Sequence, residues 1–227
     1  MEQGSPVITA TKIRGRGKPV PQAGFTPIFP NNWHGHGFGY GTGDFSSLSP
    51  MRLGPTVGGA LNIENYYQFA KVFPNELSEE RCDCGSPSLG EHFKPSPKFY
   101  ETKAAAYADK TPHRHKQKNV IPAYSDYDGV HCDYIESRYY YCSEMERLAK
   151  DTPAFKRLYD MFWVEKKSLE IFGYDAYPPD VNNLHGHYND PKRPFGHELV
   201  ILTMIVLKPD DYPWKRKGVK RLKTTCY

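Results

Sequence analysis

The stretch that decides the fold is residues 44–73, DFSSLSPMRLGPTVGGALNIENYYQFAKVF, where a turn-rich loop leads into an amphipathic segment. Asn62 is a favourable helix N-cap, and Pro74 ends the periodic pattern. The apolar positions between them have the i, i+3, i+4, i+7 spacing of one helix face: Ile63, Tyr66, Tyr67, Ala70 and Phe73. The pattern therefore predicts a short helix over 62–73 with one buried face.

A polar stripe lies beside that apolar face. Glu64, Gln68 and Lys71 follow at i, i+4 and i+7, so a carboxylate, an amide and an ammonium group are expected in line. Such a stripe is typical of a solvent-exposed helix surface, and it is also the layout of a cleft wall. The residues of the stripe alone leave both interpretations open.

The loop GDFSS (43–47), Gly54 and the segment IENYYQFAKVF (63–73) resemble the signature of the NADAR superfamily, which also includes the riboflavin-pathway N-glycosidases. The family pattern is an aspartate-phenylalanine-serine-asparagine-phenylalanine loop followed by a helix that reads serine-glutamate-histidine-tyrosine-x-glutamine-x-x-lysine-phenylalanine, and four of these helix residues match here. The residues that match those four are Glu64, Tyr66, Gln68 and Lys71. Three positions depart from the pattern, with Ser47 for asparagine, Ile63 for serine and Asn65 for histidine.

A second match lies at 175–177, where Asp-Ala-Tyr is similar to the centre of a family motif that ends in tryptophan. Pro178 stands at the tryptophan position, so another aromatic side chain must stack on the substrate's base, and the candidates are Tyr174, Tyr177 and Trp33. The family also carries an arginine that meets phosphate or ribose oxygens, for which Arg114 is the best candidate here.

The resemblance implies hydrolysis of an N-glycosidic bond in a ribosylated substrate derived from ADP-ribose or a nucleotide. Such cleavage builds positive charge on the sugar carbon and negative charge on the departing nitrogen, so the site needs carboxylates near the sugar and polar or aromatic groups at the base. The catalytic candidates are Glu64 and Asp175. The substrate-binding candidates are Asn65, Tyr67, Gln68, Lys71, Arg114, Tyr177 and Trp33. We expect no cofactor.

The 227 residues, 38% of them hydrophobic, suffice for one domain with a sizeable core. The resemblance and the helical periods predict a mainly α fold with short strands and long loops. We expect an extended basic arm at 1–32, a NADAR-like globular domain at 33–208 and a basic C-terminal tail at 209–227. Helices are predicted at 100–109, from Ser143 to Lys150, over 195–207, and from Pro153 with Asp151 or Thr152 as its cap. An extended run is predicted at 169–177.

The formal net charge of +4 is unevenly distributed, because ten basic residues lie within 12–18 and 215–223. The run 215–223 favours contact with nucleic acid or an acidic partner. Five cysteines, an odd number, favour a reducing compartment, and no apolar run is long enough to span a membrane. We therefore expect a cytoplasmic or nuclear protein, or a virion component, with no membrane partner.

Cys82 and Cys84 are the strongest metal-binding candidates in the sequence, with His34/His36, His113/His115 or His185/His187 as further ligands. Their spacing is Cys-x-Cys instead of the usual Cys-x-x-Cys, and no second cysteine pair follows. The sequence therefore predicts no metal.

An alternative function belongs to another class of protein. Twenty prolines, nineteen glycines and seventeen tyrosines suit a catalytically inactive structural protein whose extended arms contact neighbouring subunits of a large assembly, such as a virus shell or filament. The enzymatic hypothesis requires Glu64 and Asp175 to converge in one concave pocket. It also expects the glycine-aromatic loop 33–41 to face the turn at 173–177 across the mouth of that pocket.

Overall fold

The computed structural model describes residues 5–14, 19–31 and 45–215. The fold class is mixed α/β, with 39% helix, 18% strand and three small sheets. The mainly α prediction is therefore wrong. It failed because several segments interpreted as arm or loop are strands whose partners lie far away in the sequence.

The first sheet has β8 (Ser168–Gly173) at its centre, between β1 (Ile8–Lys12) and β2 (Phe25–Ile28). Both outer strands run parallel to β8, and Ala10 and Ile28 both pair with Ile171. Pro27 is tolerated because β2 is an edge strand, where a missing backbone N–H need not break the sheet. The segment 1–32, predicted as a free arm, thus supplies two of the three strands of this sheet.

The second sheet is antiparallel, with the order β3 (Lys71–Val72), β6 (Tyr124–Tyr127) and β7 (Val130–Cys132). A tight turn joins β6 to β7, and its two central residues, Asp128 and Gly129, have φ values of 56° and 80°. Positive φ at both positions is the requirement of a type I′ hairpin turn. A separate hairpin pairs β4 (Leu77–Cys82) with β5 (His92–Pro95).

The central helix of the sequence analysis, α1 (Ile63–Gln68), begins where predicted, because the Asn62 side chain accepts a hydrogen bond from the amide of Asn65. It ends five residues earlier than predicted. Beyond it, Lys71 and Val72 form β3 by pairing with Ser125 and Tyr124, so strand pairing replaces the last helical turn.

Five further α-helices lie within the described residues: α2 (Pro97–Tyr107), α3 (Tyr134–Ala149), α4 (Pro153–Trp163), α5 (Leu184–Asn189) and α6 (His197–Val206). Of the two candidate caps of α4, Asp151 and Thr152, the structure uses Thr152, and the choice of helix for 195–207 is confirmed. The predicted start at Ser143 is wrong, since α3 begins with a capping box of Asp133 and Glu136. Ser143 lies inside a longer helix.

The main core surrounds α6, which contacts α3, α4 and the first sheet. The core continues past residue 208, because Tyr212 and Trp214 are only 5% and 1% exposed. Trp214 Nε1 donates a hydrogen bond to Glu146 Oε2 at 2.8 Å. The predicted tail at 209–227 therefore starts inside the folded domain, and only 216–227 lies outside the described residues. Over those described residues, the structure contains no helix of the length and apolarity that a membrane crossing requires.

Candidate active site

A cleft of about 890 Å³ opens between α1, β3, the loop 112–122, the segment after β8 and the start of α6. Six of the predicted site residues line it: Glu64, Tyr67, Gln68, Lys71, Arg114 and Asp175. They come from three separate parts of the sequence. Arg114 and Asp175 are exposed in the cleft, whereas Glu64 and Lys71 are half-buried in its wall.

The polar stripe of α1 and β3 forms a continuous hydrogen-bonded chain. Lys71 Nζ donates to Gln68 Oε1 at 2.8 Å, and Gln68 Nε2 donates to Glu64 Oε1 at 3.2 Å. Lys71 Nζ also lies 4.3 Å from the centre of the Tyr67 ring, a cation–π distance. These contacts fix the orientation of the Gln68 amide and hold the carboxylate and ammonium groups apart.

Burial shifts the pKa of the two charged groups at the ends of this hydrogen-bonded series, Glu64 and Lys71. It raises the pKa of Glu64, although Arg114, Gln68, His197 and Lys71 all oppose the shift. It lowers the pKa of Lys71 to about 8, against the opposing charges of Glu64 and Asp175. A carboxyl and an amine shifted towards neutrality in one cleft are typical of sites that move protons or bind charged substrates.

A third carboxylate, which the sequence analysis did not assign, belongs to Glu198 in the first turn of α6. Its side chain lines the cleft but is only 1% exposed. Burial raises the pKa of Glu198, while the nearby His197 lowers it, and the Glu198 and Tyr174 backbone amides donate to the carboxylate. His197 Nδ1 lies 3.3 Å from Glu198 Oε2.

Two glycines make room for Glu198 beside Asp175. A Cβ atom at Gly173 would lie 1.5 Å from Glu198 Oε1, and one at Gly196 would lie 2.8 Å from Glu198 Oε2 and 3.5 Å from the Asp175 Cβ. The site therefore brings a second carboxyl group close to Asp175. Each glycine precedes a cleft carboxylate by two residues, Gly173 before Asp175 and Gly196 before Glu198, but spacing alone does not show which side chain fills the space.

The parallel sheet positions Asp175 in the cleft. It follows the carboxyl end of β8, and Asn31, which also lines the cleft, follows the carboxyl end of β2. Asn31 Nδ2 donates to the Phe172 carbonyl at 2.5 Å, and this hydrogen bond joins the residues after β2 to β8. Ligand sites in α/β proteins commonly lie outside the carboxyl ends of parallel strands.

Asn65, predicted to bind the substrate's base, does not line the cleft. It is fully buried, and its side-chain amide donates to the carbonyls of Ala106, Asp109 and Thr111 while its oxygen accepts from the His113 amide. A polar side chain in the buried face of α1 must satisfy its hydrogen bonds inside the protein. Asn65 thereby anchors the segment that leads directly into Arg114.

Tyr177, one of the two predicted stacking candidates in the described part of the chain, is also outside the cleft lining. Its hydroxyl lies 3.4 Å from His187 Nδ1, and its ring lies 5.1 Å from the Arg193 guanidinium. The other candidate, Tyr174, lines the cleft and is 37% exposed. Tyr134, which was not predicted, also lines the cleft and is 43% exposed. Trp33 and the whole loop 33–41, which was predicted to face the turn at 173–177, lie outside the described residues.

Arg138 supports the far wall of the cleft, a role that the sequence did not indicate. Its buried guanidinium donates to four backbone carbonyls, those of His187, Tyr188, Asp190 and Arg193. It also lies 4.7 Å from the centre of the Tyr134 ring. A single side chain thus joins α3 to the segment 187–193 and to an exposed aromatic ring of the cleft.

Comparisons of this chain with protein-family models, with curated proteins and with solved structures found no significant match.

Proposed function

We propose that this protein is an N-glycosidase that hydrolyses the N-glycosidic bond of a ribosylated substrate of the ADP-ribose or nucleotide type. One observation carries the proposal. Three of the four residues that match the NADAR signature, Glu64, Gln68 and Lys71, line one cleft together with Arg114 and Asp175, whereas the fourth, Tyr66, is buried in the core. The volume of about 890 Å³ lies within the range of sites for nucleotide-sized ligands.

Each group has a role in the proposed reaction. The bond between the sugar carbon and the base nitrogen breaks, water oxygen bonds to that carbon, and a proton is transferred to the departing nitrogen. Glu64 stabilises the positive sugar carbon and accepts a proton from the attacking water, and Asp175 orients the ribose hydroxyls. Arg114 and Lys71 supply the positive charges that hold phosphate.

The exposed rings of Tyr134 and Tyr174 take the stacking role that the family's tryptophan has at the position of Pro178. Both line the cleft, and each offers a π-face to a planar base. Glu198 is the candidate proton donor to the departing base, because burial raises its pKa and favours its protonated form.

The structural-assembly alternative has less support. Charged groups buried in a cleft wall destabilise a fold unless they are well compensated, so Glu64 and Lys71 are costly for a surface used only for packing. Residues 8–12 and 25–28, which that alternative treats as arms reaching to neighbours, pair with β8 of the same chain.

The test is an assay of free-base release from nucleoside phosphates, dinucleotides and ADP-ribosylated bases. We expect the wild-type protein to cleave at least one of these and Asp175→Asn to be slower by about 10². Glu101→Gln, an exposed carboxylate on α2, is the matched control and should leave the rate unchanged. Absence of base release from every substrate, or equal rates for wild type and Asp175→Asn, would contradict the proposal.

A further inference from the structure

A second cluster of reactive side chains lies outside the cleft, where the β4–β5 hairpin meets β7. Cys82, Cys84, His92 and His131 each place one ligand atom within 4.8 Å of all the others. The distances from Cys82 Sγ to His92 Nε2 and His131 Nδ1 are 3.4 and 3.7 Å, and Cys84 Sγ lies 3.5 Å from His131 Nδ1. Tetrahedral Zn²⁺ with ordinary bond lengths separates sulfur and nitrogen ligands by about 3.6 Å.

From this geometry we propose that Cys82, Cys84, His92 and His131 bind one Zn²⁺ ion. The two remaining measured edges of the tetrahedron are shorter than the bound geometry requires. The sulfur atoms of Cys82 and Cys84 lie 2.7 Å apart, as do His92 Nε2 and His131 Nδ1. The ion would separate these pairs to about 3.8 and 3.3 Å, respectively.

The hydrogen bonds of the two imidazoles decide which nitrogens face the centre of the cluster. His92 Nδ1 lies 2.8 Å from the Gly90 carbonyl, which only accepts, so Nδ1 carries the proton and Nε2 presents a lone pair. His131 Nε2 lies 3.2 Å from Asp126 Oδ2, so a proton on Nε2 leaves a lone pair on Nδ1. Two lone pairs at 2.7 Å repel each other, and a cation bound to both removes that repulsion.

The surroundings match the second shell of a histidine-bound metal, in which the other ring N–H meets a carboxylate or a carbonyl. His131 and Asp126 are both fully buried, and Lys103 Nζ compensates Asp126 Oδ1 at 2.6 Å. The contact between His131 Nε2 and Asp126 Oδ2 is not aligned as a hydrogen bond, which leaves both atoms unsatisfied. A small reorientation of the ring onto a metal would improve this contact.

The backbone brings the cysteine turn close to His131. Gly85 has a φ of +98°, and a Cβ atom there would lie 2.3 Å from the His131 carbonyl oxygen. The amide of Ser86 donates to the same carbonyl at 2.8 Å. Only glycine combines this φ with so close an approach, so the turn is built to hold Cys84 beside His131.

Cys84 takes part in a disulfide in this structure, and a disulfide sulfur is not a thiolate ligand. The zinc-binding form is therefore the reduced one. Cys82 is already a free thiol. A dithiol reductant supplies two electrons and two protons, the disulfide becomes two thiols, one of which is that of Cys84, and Zn²⁺ then displaces the protons of Cys82 and Cys84. Four protein ligands leave no open position for water, so the site is structural.

The experiment uses the full chain, reduced with dithiothreitol, treated with a chelator, and then titrated with ZnCl₂. We expect one Zn²⁺ per chain and a higher melting temperature with the metal. Cys82→Ser and His92→Asn should lose stoichiometric binding, whereas His185→Ala, a partly exposed histidine outside the cluster, should retain it. Protein whose disulfide is left intact should bind no zinc at this site.

A spectroscopic measurement on the wild-type protein keeps the proposal testable if the variants do not fold. X-ray absorption at the zinc edge should give two sulfur and two nitrogen ligands at about 2.3 and 2.0–2.1 Å. No stoichiometric zinc after reduction, a ligand set without sulfur, or equal zinc binding by wild type and the folded cluster variants would overturn the proposal.

Discussion

The backbone amide of Asp126 donates a hydrogen bond to the carbonyl oxygen of Ala70 at 2.7 Å. Ala70 lies between the α1 side chains of the cleft and Lys71, while Asp126 contacts His131 of the proposed zinc site. The second sheet therefore connects the two sites, because β3 pairs directly with β6. A metal bound at the cysteine–histidine cluster would stabilise the strand that carries Lys71.

Ligand binding should weaken as pH rises through about 8, the value to which burial lowers the pKa of Lys71. Below this pH the ammonium is charged and attracts phosphate, and above it the dissociation constant for ADP-ribose should rise by up to about tenfold per pH unit. Lys71→Arg keeps its charge across this range and should lose the dependence. Calorimetric titration from pH 7 to 9 provides the measurement, and identical profiles for both proteins would exclude this role.

Asn65→Ala should mainly reduce stability, in contrast to the substrate-binding role that the sequence predicted. The change leaves three carbonyls and one amide without their buried partner, so we expect a loss of about 2–4 kcal/mol in the free energy of unfolding. Denaturant unfolding measures this loss. Unchanged stability together with weaker ligand binding would restore the original assignment.

Gly173→Ala should destabilise the fold by about 1–3 kcal/mol, because the new methyl group meets the Glu198 carboxylate. The cause can be separated with a double-mutant cycle. In a Glu198→Ala background the same change should have a much smaller effect, since the clashing side chain is absent. Additive losses in thermal unfolding would mean that Glu198 is not the group that requires glycine at this position.

Two truncations of the C-terminal tail, one that begins at residue 216 and one that begins at residue 214, should differ in stability. Deletion of 216–227 should leave the melting temperature unchanged and weaken salt-dependent binding to nucleic acid, since five of the six basic residues in 215–223 are lost. Deletion of 214–227 also removes the buried Trp214 and should cost about 3–5 kcal/mol of stability. Equal stability of the two truncations would contradict the packing of Trp214, and unchanged nucleic-acid affinity would assign the tail no binding role.

The sequence predicted those helices and strands that are determined by residues close to one another along the chain. The Asn62 cap, the Thr152-Pro153 start of α4 and the strand before Gly173 are of this kind. The strands at 8–12 and 25–28 were missed because their partner is β8, more than 140 residues further along the chain. Sequence periodicity contains no information about such pairing.

The same contrast between local signals and long-range contacts applies to the cleft and to the cysteine–histidine cluster. The cleft was partly predictable because Glu64, Gln68 and Lys71 occupy one stripe. Asn65 was misassigned because its helical position did not reveal the carbonyls that surround it. The sequence predicted no metal at the cysteine pair, because its neighbours in space are the isolated His92 and His131 instead of a paired histidine motif. Two hairpins must meet before the four side chains converge.

The most direct test of the N-glycosidase proposal is the rate of base release by Glu64→Gln. The amide keeps the size and hydrogen-bonding capacity of the side chain but removes its charge. Because burial raises the pKa of Glu64, ionisation of the carboxyl disfavours the folded state above the pKa of the unfolded chain, and the substitution should not lower the melting temperature at pH 7.

On a substrate that the wild-type protein cleaves, we predict that Glu64→Gln reduces the rate by about 10²–10³ while Glu101→Gln does not. A wild-type rate in the folded Glu64→Gln protein would contradict the assignment of this cleft as an N-glycosidase active site.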